Sequence, residues 1–270
     1  MTGSVPRLLD FAALDDLAFA AERGRLDVSN VPPFSLGDLG PTLEFYQLSG
    51  SKLLPSPGNA PWLSLGGLGP LVQSLEEGKR LWICPWTRRI GFLRTTLTPP
   101  EETTWTGFGI AAQQAATRVG FPQPVAAQLT AALGEFYSNV YEHSQASETG
   151  IIAFRAHPGR FELVVADSGI GVLESLRTST EYVKLRDHGE ALQLALADGV
   201  SRHGSRSGRG HGFRPLFVGL ANLNGALRFR SGDHALLING QDPSPMAARP
   251  AEKPAITGFF ISVSCRIASR

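Results

Sequence analysis

The chain has 270 residues, 42% of them hydrophobic and 18% charged, with a formal net charge of +1. So even a balance gives no global attraction to nucleic acid or to an anionic membrane, and neither is expected as a direct partner. The length predicts roughly two domains or one large one. The charged fraction falls below the roughly one quarter of a typical globular chain, which leaves neutral surface suited to a partner or a homodimer.

Two cysteines, Cys84 and Cys265, form no motif and no disulfide framework, which fits a reducing compartment. The opening "MTGSVPRLLDFAALDD" lacks the basic-then-apolar profile of a signal peptide. The uncharged run 53–75 is long enough to cross a bilayer, but its prolines and glycines predict loop and short elements. The expectation is a cytoplasmic protein.

Residues 1–100 show little periodicity. Within them "RLDVSNVPPFSLGDLG" followed by "GPLVQSLEEGKRLWICPW" resembles a STAS-like unit of strand, loop, helix and strand. The alternative is an α/β region that packs on the rest of the chain or mediates a dimer. The contiguous Leu81, Trp82, Ile83 and Cys84 read as a buried strand, and "RRIGFLRTT" as a short helix or strand. The proline pair and acidic, Thr-rich run of "LRTTLTPPEETTW" mark a boundary, giving regions 1–100 and 101–270.

Beyond it the pattern sharpens. "TGFGIAAQQAATRVG" and "PQPVAAQLTAALGEFYSNVYEHS" predict two helices, separated at Gly120 and Pro122. "GIIAFRAHPGRFELVVAD" (150–167) predicts a hairpin turning at "HPGR". A polar and helical stretch follows, then "SGRGHGFRPLFVGLANLNG", a glycine turn running into an amphipathic helix. "ALRFRSGDHALLING" predicts a further hairpin turning at "SGD", residues 240–255 a flexible excursion, and "ITGFFISVSC" a closing strand. The order predicts an α+β sandwich, a mixed sheet with helices on one face.

Three stretches carry chemistry. Glu135, Asn139 and His143 recur every four residues on the second helix, a stripe within about 80°. Such a stripe is either solvated surface or one wall of a site. "VVADSGIG" brings Asp167 to a strand end followed by Gly169 and Gly171. The acid can accept from an exocyclic amine, and the glycines admit a flat ligand, although D-x-G is also ordinary turn chemistry. In "SGRGHGF", Gly208, Gly210 and Gly212 alternate ahead of a helix, so that backbone N–H groups can face phosphates.

In this order the three stretches resemble the N, G1 and G2 boxes of the GHKL ATPases, whose nucleotide-binding domain is the Bergerat fold. The resemblance spans about 106–265 and lies closest to histidine-kinase-like ATPases and anti-sigma-factor serine kinases paired with STAS proteins. It implies ATP and Mg²⁺ as cofactors. Glu135 would be the general base acting on a water or a protein hydroxyl. Asn139 would hold the magnesium ion, His143 would line the phosphate side, and Asp167 would select adenine beside Gly169 and Gly171. Gly208, Gly210 and Gly212 would hold phosphates from a lid at about 172–207, with Arg209 the strongest candidate to neutralise their charge.

Two departures stand out. Family members often close with a Gly-Thr pair that supports the adenine-binding aspartate, whereas here the order is Thr257-Gly258-Phe259. Histidine kinases carry a phosphorylated histidine upstream of the first box, but residues 1–142 contain none. The expected function is a Mg-ATP-binding regulatory protein. It would be a serine/threonine kinase or slow ATPase of the anti-sigma type acting on a STAS-type antagonist or a sigma factor. The alternative is an ATP-gated binding switch with negligible phosphoryl transfer.

Overall fold

The computed structural model describes residues 5–99, 101–196, 225–238 and 248–267. The N-terminal region alternates short strands and helices: β1 (Arg7–Leu8), α1 (Phe11–Glu22), β2 (Phe34–Ser35), α2 (Leu39–Gly50), β3 (Leu63–Ser64) and α3 (Gly69–Glu76). Asp10 caps α1 by accepting from the Ala13 N–H at 2.8 Å, and a proline in its first turn opens α3. The three strands pair in parallel in the order β1-β2-β3. Of the two stretches that resemble a STAS-like unit, residues 25–40 hold β2 and residues 69–86 hold α3.

The main sheet begins before residue 100. β4 (Leu81–Ile83) and β5 (Ile90–Arg94) form a hairpin, and β5 pairs with β6 (Ile151–His157). β7 (Arg160–Asp167), β9 (Ala251–Arg266) and β8 (Ala226–Ile238) complete the order β4-β5-β6-β7-β9-β8. Every described pairing in this sheet is antiparallel. α4 (Glu102–Arg118) and α5 (Gln123–His143) form the expected helix pair, and α6 (Gly171–Arg177) and α7 (His188–Ala195) lie between β7 and β8.

The expected sandwich of sheet and helices is present, and its second face is covered too. Ile152, Phe154, Leu163, Val165 and Ile261 pack with Phe108, Ala112, Leu133 and Phe136 of α4 and α5. The alternating residues Ala153, Val164, Ala166 and Phe260 pack with Leu14, Leu39, Leu43, Phe45 and Leu48 of the N-terminal region. Period-two alternation of side chains makes this possible, since neighbours on one strand enter opposite layers. The hairpin of β4 and β5 therefore joins both sequence regions in one sheet, and β4 is its half-exposed edge strand rather than a fully buried one.

"ALRFRSGDHALLI" is one continuous strand, β8, and not a hairpin. Gly232, at φ 60°, absorbs the "SGD" signal as a β-bulge, where the register with β9 slips on both sides. β9 likewise begins at Ala251, inside the stretch expected to be a flexible excursion.

Across β8, Leu227 and Phe229 enter the core beneath α4 and α5, while the intervening Arg228 and Arg230 are buried on the other side. There Arg228 Nη2 donates to Asp15 Oδ1 at 2.6 Å and to Glu44 Oε1 at 2.7 Å. Arg230 also pairs with Glu44, and Lys253 Nζ lies 2.8 Å from Asp15 Oδ2. The paired acids outweigh burial and hold the Arg228 guanidinium more firmly protonated than usual. Unpaired, any of these charges would be far too costly to bury, so α1 and α2 are bound to the sheet by charge as well as by apolar contact.

Candidate functional site

α5 runs from Gln123 to His143 because alanines and leucines recur at helical spacing, with Pro122 as its N-cap. Its buried face is Leu129, Leu133, Phe136 and Val140. The polar stripe lies beside that face and graduates from exposed Glu135 to half-buried Asn139 and His143. The end of the stripe meets α6, where His143 Nδ1 lies 3.3 Å from Ser175 Oγ. Ser144, the next residue, accepts the Ile170 N–H on its carbonyl at 2.8 Å. The helix end is thus joined directly to the "DSGIG" loop, which begins at Asp167.

β7 delivers Asp167 to the same place. Leu163, Val165 and Asp167 alternate toward the α5 side of the sheet. Asp167 is 2% exposed, and burial raises its carboxyl to about 7 against the lesser downward pull of the Gly169 and Phe259 N–H groups. Oδ1 accepts the Gly169 N–H at 2.8 Å. Oδ2 is buried and has no hydrogen-bond partner among the described residues. A buried acceptor left in this state costs about 1–3 kcal/mol, which a donor on a ligand would relieve.

The glycines around the acid are dictated by space. A Cβ at Gly169 would lie 2.1 Å from the Ser144 carbonyl oxygen. Gly171 takes φ 74°, and a Cβ there would meet Ser231 Oγ at 2.7 Å. Ser231 accepts the Val172 N–H and donates to the Gly258 carbonyl, both at 2.9 Å. Thus the bulge of β8, the start of α6 and the turn in β9 are connected through one hydroxyl.

Gly258 explains the inverted Thr257-Gly258 order. It adopts φ 76°, and a Cβ there would sit 2.1 Å from the Asp167 carbonyl and 2.5 Å from its Oδ1. β9 must pass so close to Asp167 that only glycine fits. Support for the acid comes from backbone N–H groups on this side and, from behind, from Gln47 of α2. Its Nε2 donates to the Asp167 carbonyl at 2.9 Å and the Thr257 carbonyl at 3.2 Å.

Residues 100–214 match the family model of the histidine kinase-like ATPase domain. Over that segment the chain is similar to a GHKL-type ATPase domain. No curated protein and no solved structure matches the chain. The matched segment runs from α4 through α7 and includes Glu135, Asn139, His143, Asp167, Gly169 and Gly171. ATP binding goes with this domain.

His143 and the Asp167 loop therefore meet around α6, while Gly208, Arg209, Gly210 and Gly212 lie outside the described residues, as do Arg202, Arg206, His211 and Arg214. Of the stretch expected to be a lid, residues 172–196 hold α6, α7 and their connection. Among the described residues no helix is long and apolar enough to cross a membrane. None of the described His, Cys, Asp and Glu side chains gather in a group of three or more that could hold a metal. Ser144, Ser175, Ser231 and Gln47 had no motif to mark them. Only Thr257-Gly258, as a departure from the family order, pointed to the crossing of β9.

Proposed function

We propose that the protein is a Mg-ATP-dependent regulatory protein kinase of the anti-sigma type, phosphorylating a serine or threonine of a partner such as a STAS-type antagonist. The observation that carries the nucleotide reading is the buried, unpartnered Asp167 Oδ2, a single acceptor suited to the 6-amino group of adenine. Guanine presents a carbonyl oxygen at that position and would set acceptor against acceptor.

The phosphates would extend from the adenine along α5 toward Asn139 and the glycine loop. Magnesium keeps several of its own waters and takes few protein ligands besides phosphate oxygens, so one amide, Asn139, is a reasonable contribution. The metal would supply charge neutralisation at the transferring phosphate. Glu135 is exposed, and an exposed carboxylate can reach a hydroxyl presented by a protein partner. As general base it would accept that hydroxyl's proton while the oxygen attacks the γ-phosphorus and ADP leaves.

The deciding experiment is incubation with Mg²⁺ and γ-labelled ATP, with and without STAS-domain proteins. Label on a partner supports the kinase. Free phosphate alone replaces it with a slow ATPase, and tight ATP binding with neither replaces it with a passive switch. Glu135→Ala is expected to abolish turnover while ATP affinity stays within about twofold, as for an interaction made only in the transition state. Equal loss of both would remove Glu135 from the role of base.

A further inference from the structure

Gln47 belongs to the N-terminal region, outside the matched ATPase segment, yet its side chain ends against the strand that carries Asp167. Its Nε2 faces three carbonyl oxygens: Asp167 at 2.9 Å, Thr257 at 3.2 Å and Phe259 at 3.5 Å. These belong to β7 and to β9, which pair at Asp167 and Phe259. The amide therefore bridges the end of β7 and the middle of β9, on either side of the Gly258 crossing. The orientation of the amide follows from its neighbours, because the reverse would point Oε1 at three acceptors.

The amide is also held in place. Glu44 lies one turn earlier on α2, is fully buried and pairs with Arg228 and Arg230 of β8. At the start of the same helix, the Leu39 N–H donates to buried Glu162 of β7 at 3.2 Å. α2 is thus attached to the sheet at both positions before Gln47 reaches the Asp167 carbonyl.

We infer that Gln47 is a positioning residue for adenine recognition, fixing the backbone of Asp167 so that its free carboxylate oxygen meets the 6-amino group. This rests on the proposed role of Asp167. Gln47 touches no part of the nucleotide in this scheme. It acts by holding the Asp167 carbonyl, and with it the direction of the side chain, where the departure at Thr257-Gly258 leaves no threonine in the family's usual place. The N-terminal region thereby contributes to nucleotide selectivity.

The test compares binding of ATP and of purine riboside triphosphate, which lacks only the 6-amino group, to the full chain. The wild type should prefer ATP by at least about tenfold, as one hydrogen bond to a charged group is worth. Gln47→Met, which keeps the length and removes the amide, should lose most of that preference while its affinity for the deaminated nucleotide is unchanged. If Gln47→Met does not fold, as judged by thermal unfolding, the same comparison passes to Gln47→Asn, whose shorter amide should show the same selective loss. A folded variant that retains the preference overturns the inference, and so does one that loses both nucleotides equally, since that reports a structural role alone. A wild-type protein with no preference for ATP overturns the reading of Asp167 and this inference with it.

Discussion

β7 carries two buried acids that face opposite sides of the same sheet. Glu162 looks toward the N-terminal region, Asp167 toward α5, and burial pushes both carboxyls to about 7. Their company differs. Glu162 accepts from the Leu39 N–H at 3.2 Å and from Arg160 Nη2 at 3.1 Å, and Arg160 in turn pairs with Asp38 at 2.8 Å. Each acid leaves one oxygen without a hydrogen bond, but Glu162 Oε2 lies 3.8 Å from Arg155 Nη1, whereas Asp167 pairs with no cation among the described residues and accepts the Gly169 N–H on Oδ1. Glu162 is held among arginines that fasten two layers together; Asp167 keeps an acceptor with no cation to compensate it among the described residues. Burial and one unsatisfied oxygen are common to both acids and do not distinguish structure from function, whereas the cationic partners around Glu162 do.

The contrast between the faces yields predictions of decreasing size. The N-terminal face should fail first through its charges. Glu44→Ala leaves Arg230 and Arg228 short of a partner and is expected to destabilise the protein by about 3–5 kcal/mol, measured by urea unfolding. A loss below about 1 kcal/mol would mean that water or the remaining acids compensate, and that the layer is not the clasp described. On the opposite face, Asp167→Asn replaces an acceptor with an amide at the adenine position. It should weaken ATP about a hundredfold, consistent with an unpaired buried donor, while the fold persists. Retained affinity by calorimetry would contradict the role of Asp167.

Protonation separates the faces further. The 6-amino group needs the ionised carboxylate, so ATP affinity should fall about tenfold from pH 8 to pH 6 as a group titrating near 7 takes up its proton. Purine riboside triphosphate carries the same phosphates without the amine and serves as the reference. Glu162→Gln should leave that profile unchanged. An identical pH profile for the two nucleotides would count against Asp167.

The smallest effect is on stability without nucleotide. Both acids have folded values raised above their ordinary ones. Each therefore contributes stability that is fully present below pH 4 and lost as pH rises through about 7. Unfolding free energy should fall by about 1 kcal/mol per acid between pH 6 and pH 8. Glu162→Gln should remove its share and flatten the curve, which denaturant titrations at the two pH values would check.

Much of this architecture could be read in advance. The helices α4 and α5 and the hairpin of β6 and β7 follow from periodicity and from turn residues. Where the reading differed, the cause was local chemistry with more than one solution. "SGD" suits a turn and equally suits a bulge, and only pairing with β9 selects the bulge. The alternation of Arg228 and Arg230 with Leu227 and Phe229 resembles a strand with one solvated face, yet acids from α1 and α2 bury that face. The unbroken apolar runs "IIAF" and "LVVA" recorded two covered faces, because a strand with one wet side alternates.

By itself the amino-acid order determined α4, α5, β6 and β7 and brought an acid followed by glycines to the end of β7, because helix period, glycine placement and an acid at a strand end are local properties. Tertiary structure alone decided that the sheet begins at Leu81, that Gly258 must pass against Asp167, and that Gln47 stands behind it. Those facts depend on contacts between residues more than a hundred positions apart, and no spacing within a short stretch encodes which distant side chain will complete a given hydrogen bond.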